Sequence, residues 1–322
     1  MLRLGLCCLF NQAPIRFRSA TAKFVRPLDR PAQLVKLSKL CLDNARSLVA
    51  AVEEVYRLGF GSFRVSSPLL PLYTHPEVGY RLEELPDARE ITATLRSVKA
   101  LKEKNQLRFS FHPDQFTLLS SPRPEVTAAS LKELDYQVML AELIDAEVIN
   151  IHGGGVYGDK QSALSRLVKE ISALAEPIRS RLTLENDDRS YTVEDLLPVC
   201  EQLDIPLVYD VHHHRCNPDG LTVAAATEAC MRSWRRLGRE PYFHLSSPKH
   251  GWNSKPGPHA DFIDIADFPA EWHGLEATID VEAKAKELAL LKLRKELSLP
   301  PWPGDETTAK RGCAASTPKD AG

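Results

Sequence analysis

The chain has 322 residues, 43% of them hydrophobic and 26% charged, and a formal net charge of −2. This length can bury the core of one large domain, and the composition excludes a disordered or low-complexity chain. The nearly neutral charge does not favour a nucleic-acid-binding protein, although bound metal ions would add positive charge that composition does not count.

The chain begins with an apolar segment that predicts a strand over residues 2–8. This segment is too short for the core of a signal peptide, and no apolar run in the sequence is long enough to span a membrane. The cysteines show no C-x-x-C pair and no zinc-finger spacing, which predicts reduced thiols. They are Cys7, Cys8, Cys41, Cys200, Cys216, Cys230 and Cys313. We therefore expect a cytoplasmic protein that does not bind membranes.

Predicted helices and strands alternate through the rest of the chain. An amphipathic helix is predicted near residues 32–58, and Gly59 and Gly61 end it before a strand at Phe63. Further helices are predicted near residues 87–104, 124–146, 159–179, 192–203, 221–237 and 285–297. Short apolar segments of the kind that form buried strands separate the helices. Eight such strands predict an α/β fold, and their number favours a closed (β/α)₈ TIM barrel over an open sheet.

The sequence predicts one domain and a tail. Residues 1–298 are expected to form the barrel, with a longer excursion over residues 248–277 before the last strand. Residues 299–322 begin Leu-Pro-Pro-Trp-Pro-Gly and continue with Thr, Lys, Ala and Ser, which predicts a disordered tail.

Six predicted strands end in a residue that can bind a metal ion. In the most informative one, residues 207–214, an apolar run ends in Asp210 and three histidines. The other five end at His112, His152, Glu185, His244 and Glu282. In a barrel of parallel strands, the carboxyl ends of the strands meet at one mouth, which carries the active site. We therefore expect these side chains to converge.

The candidate ligands are imidazoles and carboxylates, a combination that suits Zn²⁺, Mn²⁺ or Fe²⁺ better than Ca²⁺ or Mg²⁺ alone. They are His112, His152, Glu185, Asp210, His213, His244, His259 and Glu282. This set is large enough for two or three ions, and neighbouring ions can activate water in phosphodiester cleavage. One such histidine alone is more often an ordinary hydrogen-bonded residue, but that explanation does not account for a whole series of strand ends.

The three consecutive histidines are expected to differ in role. Alternation along a strand would turn His212 and His214 away from the face that His213 occupies. We therefore expect His213 to be a ligand, and one of its neighbours at most to be a hydrogen-bond partner of a ligand.

Six motifs occur in order over roughly residues 2–297. They are Ser110-Phe111-His112-Pro113-Asp114-Gln115-Phe116-Thr117, Asn150-Ile151-His152-Gly153-Gly154, Thr183-Leu184-Glu185-Asn186-Asp187-Asp188, Tyr209-Asp210-Val211-His212-His213, His244-Leu245-Ser246-Ser247-Pro248-Lys249 and Glu282-Ala283-Lys284. Together these motifs resemble the UV damage endonuclease family. The resemblance implies a (β/α)₈ barrel related to endonuclease IV. It also implies a metal-dependent nick in duplex DNA immediately 5′ to UV photoproducts, leaving a 3′-hydroxyl and a 5′-phosphate.

The same resemblance implies roles for single residues. The first metal ion would be held by Glu185, Asp210, His244 and Glu282. The second would be held by His112 and His152 with Glu185 bridging, and the third by His213 and His259. The implied catalytic residues are Glu185, Glu282 and His75. The expected ion is Mn²⁺, with Zn²⁺ or Mg²⁺ as alternatives, and the expected partner is damaged double-stranded DNA bound by a monomer.

Gln115 and Phe116 match a glutamine-aromatic pair that the family inserts into the duplex at the lesion. An aromatic ring beside a polar amide can act as a wedge, because it replaces stacking that an extruded dinucleotide gives up. The alternative for Phe116 is an ordinary core residue.

Two positions depart from the family pattern. Tyr242 stands where the family usually has a lysine near the metal ions, and tyrosine cannot form a carbamate. The first strand has Leu6 and then Cys7-Cys8-Leu9-Phe10 where an aromatic residue and an asparagine are usual, and Asn11 is the nearest replacement for the latter. We therefore expect the metal affinity or the third metal site to differ from those of the family because of Tyr242. We also expect the contacts of the first-strand loop with the lesion to differ.

Three alternative functions compete with this one. An abasic-site endonuclease of the endonuclease IV type would use a similar site, and a divalent-metal sugar isomerase would use the same fold with mainly carboxylate ligands. The third is a lesion-binding protein that has lost hydrolysis because of Tyr242. The many candidate histidine ligands disfavour the isomerase, and the complete ligand set disfavours the binding protein.

Overall fold

Eight parallel strands form a closed barrel in which each strand is hydrogen-bonded to its neighbours in chain order. The computed structural model describes residues 1–254 and 256–303. The strands are β1 (Arg3–Cys7), β2 (Ser62–Val65), β3 (Arg108–Phe111), β4 (Val148–His152), β5 (Leu182–Glu185), β6 (Leu207–Asp210), β7 (Tyr242–Leu245) and β8 (Thr278–Val281). Pairing of β8 with β1 closes the sheet. The predicted TIM barrel is confirmed.

Helices connect the strands on the outside of the barrel. They are α1 (Ala22–Val25), α2 (Arg30–Arg57), α3 (Ala88–Asn105), α4 (Pro124–Ile144), α5 (Lys160–Ser172), α6 (Glu176–Arg179), α7 (Val193–Leu203), α8 (Val211–Cys216), α9 (Val223–Arg235) and α10 (Glu287–Glu296). Short 3₁₀ helices lie at Leu82–Glu84, Ile265–Asp267 and Ala270–Trp272. The single helix predicted near 159–179 is two helices, because Pro177 lacks an N–H and begins a new helical turn instead of continuing the first.

Local sequence signals set the ends of the longest helix, α2. The side chain of Asp29 accepts a hydrogen bond from the backbone N–H of Ala32 at 2.9 Å, which satisfies one of the free donors at the helix start. Gly59 follows the helix with φ of +73°, a conformation that glycine adopts without steric cost. The chain can therefore turn directly into β2.

Polar side chains line much of the barrel interior. Thr183 Oγ1 donates to Asn150 Oδ1 at 2.8 Å, and Ser110 Oγ donates to Asp280 Oδ2 at 3.2 Å. A Cβ atom at Gly5 would lie 2.1 Å from Asp280 Oδ1, so only glycine leaves room for this carboxylate. The interiors of TIM barrels are usually filled by branched apolar residues. Here the buried polar groups form a layer beneath the strand ends.

The chain after α10 packs under the opposite end of the barrel. Leu299 and Trp302 pack against the hydrophobic core, and the guanidinium of Arg3 lies 3.7 Å from the centroid of the Trp302 ring. The first residues of the predicted tail therefore contact the barrel. Residues 304–322, with Cys313, lie outside the described residues.

No helix in the described part of the chain is long and apolar enough to cross a membrane. The six cysteines within the described ranges are all free thiols, in agreement with the spacing of the cysteines in the sequence.

Candidate metal centre

Glu185, at the end of β5, lies at the centre of the barrel mouth with its side chain only 1% exposed. Oε1 is 3.0 Å from His244 Nδ1 and 3.4 Å from His213 Nδ1. Oε2 is 3.1 Å from His112 Nε2. The two oxygens of one carboxylate thus face different sides of the centre, as a bridging ligand requires.

Asn150 fixes the orientation of Glu185 from the layer below. Its Nδ2 donates a hydrogen bond to Glu185 Oε2, while its Oδ1 accepts from Thr183. Asn150 belongs to one of the sequence motifs, but its role was not predicted. Its position two residues before His152 on the same strand is the signal that could have revealed it, because both side chains then point to the same face.

Within residues 1–254 and 256–303, two groups of side chains are close enough to hold a metal ion. One consists of His112, His152 and Glu185, and the other of Glu185, Asp210 and His213; in each, the potential ligand atoms all lie within 4.8 Å of one another. His152 Nδ1 and Asp210 Oδ2 are buried without a hydrogen-bond partner among the described residues. Buried polar atoms without partners are costly, and a bound ion or its water molecules would satisfy them. The residues therefore fit divalent ions.

Asp210 and His213 come together through a helix and not through a strand. The strand β6 ends at Asp210, whose Oδ1 accepts the backbone N–H of His213 at 2.7 Å and caps α8. His213 Nδ1 consequently lies 3.5 Å from Asp210 Oδ2. The prediction that strand alternation separates His213 from His212 and His214 was wrong, because these three histidines occupy successive positions of a helix and not of a strand.

His212 and His214 are both buried, in different surroundings. His214 Nδ1 lies 2.6 Å from the hydroxyl of Tyr209 and its Nε2 lies 3.1 Å from Asp219 Oδ1, so its polar atoms are satisfied away from the centre. The ring of His212 lies 5.3 Å from that of His259, measured between centroids. Both ring nitrogens of His212 lack a hydrogen bond of normal geometry in the described structure.

The excursion after β7 brings His259 back to the barrel mouth. A short antiparallel bridge pairs His259 with Pro248 and folds the excursion onto itself. His259 Nδ1 then lies 3.5 Å from Glu282 Oε2. The excursion therefore adds an imidazole to the side of the centre that Glu282 occupies.

Arg64, on β2, was not predicted to be part of the site. Its guanidinium contacts Asp280, Glu282 and His244, and it is buried. The signal in the sequence is the arginine itself, which stands inside the apolar strand Phe63-Arg64-Val65 where a charged residue is buried only with partners.

The electrostatics of the centre follow from burial and from the facing charges. Burial raises the pKa of Glu185, but His244, His152 and their neighbours outweigh it and hold that pKa well below its usual range. Burial opposes the charged form of Glu282 too, yet Arg64 and His244 lower its pKa. Burial lowers the pKa of His152 to about 4. The carboxylates are therefore ionised and His152 is neutral near neutral pH, which is the state that binds cations.

Tyr242 lies below the centre and not in it. It begins β7, two residues before His244, and its hydroxyl is 3.5 Å from Ser62 Oγ. The guanidinium of Arg108 lies 4.0 Å from the centroid of its ring. Its environment is the closed interior of the barrel, so Tyr242 is a packing residue.

His75 lies in the loop after β2. Its Nδ1 accepts hydrogen bonds from the backbone N–H groups of Glu77 and Val78, at 3.1 and 3.3 Å. The short contacts that join the ligand side chains within residues 1–254 and 256–303 do not include His75.

Gln115 and Phe116 lie in the loop after β3. Phe116 is 70% exposed, which is not the exposure of a core residue, and its backbone N–H donates to Asp114 Oδ1 at 2.8 Å. Phe116 lines a cavity of about 450 Å³ on one side. On the other side it lines one of about 460 Å³ that His152 and His213 also reach. The aromatic ring thus projects from the rim of the candidate metal centre.

The comparisons with known proteins agree with the barrel fold. The family model of UV-endonuclease UvdE matches residues 2–301. A UV DNA damage endonuclease from Bacillus velezensis is 37% identical over 300 residues, which cover 90% of this chain and 91% of that protein. The crystal structure of SacUVDE superposes with a TM-score of 0.79 at 26% identity and covers 92% of this chain and 98% of that chain.

A second solved structure bears on the alternatives. Endonuclease IV from Thermus thermophilus has a TM-score of 0.58 and 17% identity, with 92% of this chain and 99% of that chain covered. This likeness shows a shared fold alone and does not favour an abasic-site enzyme. The family match covers nearly the whole chain. The chain therefore belongs to the UV-endonuclease UvdE family.

Proposed function

We propose that this chain is a divalent-metal-dependent endonuclease that nicks damaged duplex DNA immediately 5′ to UV photoproducts. The lesions are pyrimidine dimers and 6-4 photoproducts, and the nick leaves a 3′-hydroxyl and a 5′-phosphate. The observation that carries the proposal is Glu185, whose two oxygens face different imidazoles at the centre of the barrel mouth. The relative from Bacillus velezensis, which carries the name UV DNA damage endonuclease, supports it.

Two or three ions per chain are proposed, with Mn²⁺ as the expected ion and Zn²⁺ or Mg²⁺ as alternatives. The first would be held by Glu185, Asp210, His244 and Glu282, the second by His112, His152 and Glu185, and the third by His213 and His259. The proximity of His112, His152 and Glu185 supports the second ion. Glu185 and Asp210 lie together with His213, so the first and third ions would share this side of the centre. When bound, such ions activate a water molecule and stabilise the attacking and leaving oxygens of phosphodiester cleavage.

Residues around the proposed ions orient the ligands, and one of them can donate a proton. Asn150 restricts rotation of the Glu185 carboxylate, and Asp210 uses Oδ1 to cap α8 and keeps Oδ2 free for an ion. His75 is proposed as a further catalytic residue with Glu185 and Glu282. Because its Nδ1 accepts backbone hydrogen bonds, the neutral ring carries its proton on Nε2 and can donate it there.

Recognition of the lesion is assigned to Gln115 and Phe116. The exposed ring of Phe116 can stack in the space that a displaced base leaves, and the neighbouring amide of Gln115 can hydrogen-bond to a base edge. The adjoining cavity that His152 and His213 line would bring the unstacked region of the strand close to the ions. We propose damaged double-stranded DNA as the partner, bound by a monomer, and the cytoplasm as the location of the protein.

The experiment uses purified protein, Mn²⁺ and an end-labelled duplex that carries one thymine dimer. We expect one nick immediately 5′ to the dimer, with an end that a DNA polymerase extends, and no nick in the undamaged duplex. Cleavage of a duplex that contains an abasic site, without cleavage at the dimer, would contradict the proposal in favour of the endonuclease IV type of activity.

A further inference from the structure

We propose that Arg64 is a positioning residue of the metal centre, which holds Glu282 in the orientation in which it binds a divalent ion. This inference rests on the proposed metal-dependent function. Arg64 lies on β2, its side chain is 8% exposed, and it is not part of any of the six sequence motifs.

The guanidinium of Arg64 directs its N–H groups at three side chains. Nε donates to Asp280 Oδ2 at 3.1 Å, and Nη1 donates to Glu282 Oε1 at 2.5 Å. Nη2 lies 2.9 Å from His244 Nε2. A planar guanidinium can reach three partners in different directions, whereas the ammonium group of lysine is a single point charge. The site therefore requires arginine and not simply a positive charge.

The contact with His244 determines which ring nitrogen faces the centre. Because a guanidinium only donates hydrogen bonds, Nε2 must present its lone pair to Arg64. Nδ1 then faces two carboxylates, at 3.0 Å from Glu185 Oε1 and 3.6 Å from Glu282 Oε1. In the metal-free neutral ring the proton is therefore on Nδ1. If a cation were held at Nδ1, that proton would move to Nε2, so the contact of His244 with Arg64 would be lost while Arg64 kept its bonds to Glu282 and Asp280.

Asp280 keeps Arg64 in this position. Its Oδ2 accepts from both Arg64 and Ser110, and the lack of a side chain at Gly5 gives it space. The guanidinium cannot turn away from Glu282 without breaking the bond to Asp280. The positive charge of Arg64 also offsets the repulsion between Glu185 and Glu282, the two carboxylates that face His244 Nδ1. Buried carboxylates require such a compensating charge.

The test measures metal binding directly. Metal-free wild-type, Arg64→Lys and Arg64→Gln proteins are titrated with Mn²⁺ and with Co²⁺ by calorimetry, and the absorption spectrum of bound Co²⁺ is recorded. We expect both variants to bind one ion about 10- to 100-fold more weakly, the range found when residues that orient metal ligands are replaced. The ion held by His112 and His152 should keep its affinity. A loss of metal affinity in Arg64→Lys, which keeps the positive charge, would assign the effect to the geometry of the guanidinium.

Two further variants separate positioning from folding. Asp280→Asn leaves Arg64 and both ligands in place, and we expect a smaller loss of affinity for the same ion. If the Arg64 variants do not fold, this variant tests the positioning role in their place. Arg108→Lys is the matched control. Arg108 is also buried in the barrel, but it bonds to Glu147 and Thr278 at the opposite end, so its replacement should leave every metal affinity unchanged.

The outcomes distinguish this inference from the proposed function. Wild-type affinities, or tighter binding, in the Arg64 and Asp280 variants would overturn the positioning role while metal dependence stands. A wild-type protein that binds no ion would overturn both.

Discussion

Glu185 Oε2 lies 3.1 Å from His112 Nε2, although the two side chains come from β5 and β3, which are not neighbours in the barrel. The contact crosses the mouth above β4. The other oxygen of the same carboxylate lies 3.0 Å from His244 Nδ1 on β7. A single carboxylate therefore links ligands from opposite sides of the barrel.

Replacing Glu185 with Gln should abolish cleavage of damaged DNA and leave the fold intact. The amide keeps the shape of the side chain but removes the negative charge that two ions are proposed to share, so both ions should be bound more weakly. Nicking rate, metal content and circular dichroism are measured on one preparation. Glu276→Gln is the control, because Glu276 is 88% exposed at the other end of the barrel. Wild-type turnover by Glu185→Gln would show that the assignment of this centre is wrong.

Replacing Phe116 with Ala should weaken discrimination between damaged and intact duplex. Loss of one stacked base costs about 1–3 kcal/mol, which corresponds to about 5- to 150-fold in affinity. Metal content should not change, since Phe116 is not a ligand. Affinities for both DNAs are measured, and Tyr56→Ala serves as a control because Tyr56 is an exposed aromatic residue near the far end of α2. Equal discrimination by wild type and Phe116→Ala would rule out the wedge.

Replacing Gly5 with Ala should destabilise the metal-free protein by about 1–3 kcal/mol, the cost of overpacking a core. The new Cβ would lie 2.1 Å from Asp280 Oδ1, so Asp280 must move and its bond to Arg64 must weaken. Urea unfolding measures the change. Gly257→Ala is the control, because its Cβ would lie 3.6 Å from the nearest atom. Equal stability of the two variants would mean that the barrel interior has more room than the structure indicates.

The stability of the metal-free protein should depend on His152 in a defined pH window. Burial lowers the pKa of His152 from 6.5 to about 4. Between these values the unfolded chain binds a proton that the folded protein does not bind, so the contribution of His152 is full above 6.5 and is lost as the pH falls towards 4. We therefore expect the difference in unfolding free energy between wild type and His152→Gln to shrink from pH 7 to pH 4.5. A difference that stays constant over that range would show that His152 is not buried as a neutral ring.

The fold was predictable because the strands are short apolar runs that alternate with helices of ordinary length. The strand ends at His112, His152 and Glu185 could be identified for the same reason, since parallel strands bring their carboxyl ends to one mouth. The grouping of the side chains within that mouth was less predictable. It depends on α8, which begins at Val211 with Asp210 as its N-cap, and a six-residue helix directly after a strand leaves no periodic signal in the sequence.

Contacts made across the barrel were also beyond sequence reasoning. Arg64 and Asp280 are 216 positions apart and meet only because β2 and β8 both flank β1. Trp302 follows a proline-rich segment whose composition is typical of a disordered tail. It packs against the barrel because an aromatic ring can cover Arg3 there, which composition does not reveal.

Metal dependence of the incision is the central claim, and chelation followed by readdition of ions tests it most directly. Protein stripped of metal with a chelator is incubated with an end-labelled duplex that carries one thymine dimer, before and after addition of Mn²⁺, Zn²⁺ or Mg²⁺. We expect no nick with the stripped protein and a restored nick immediately 5′ to the dimer when the ion is returned, with Mn²⁺ the most effective. Unchanged nicking of the damaged duplex by the stripped protein would contradict the account.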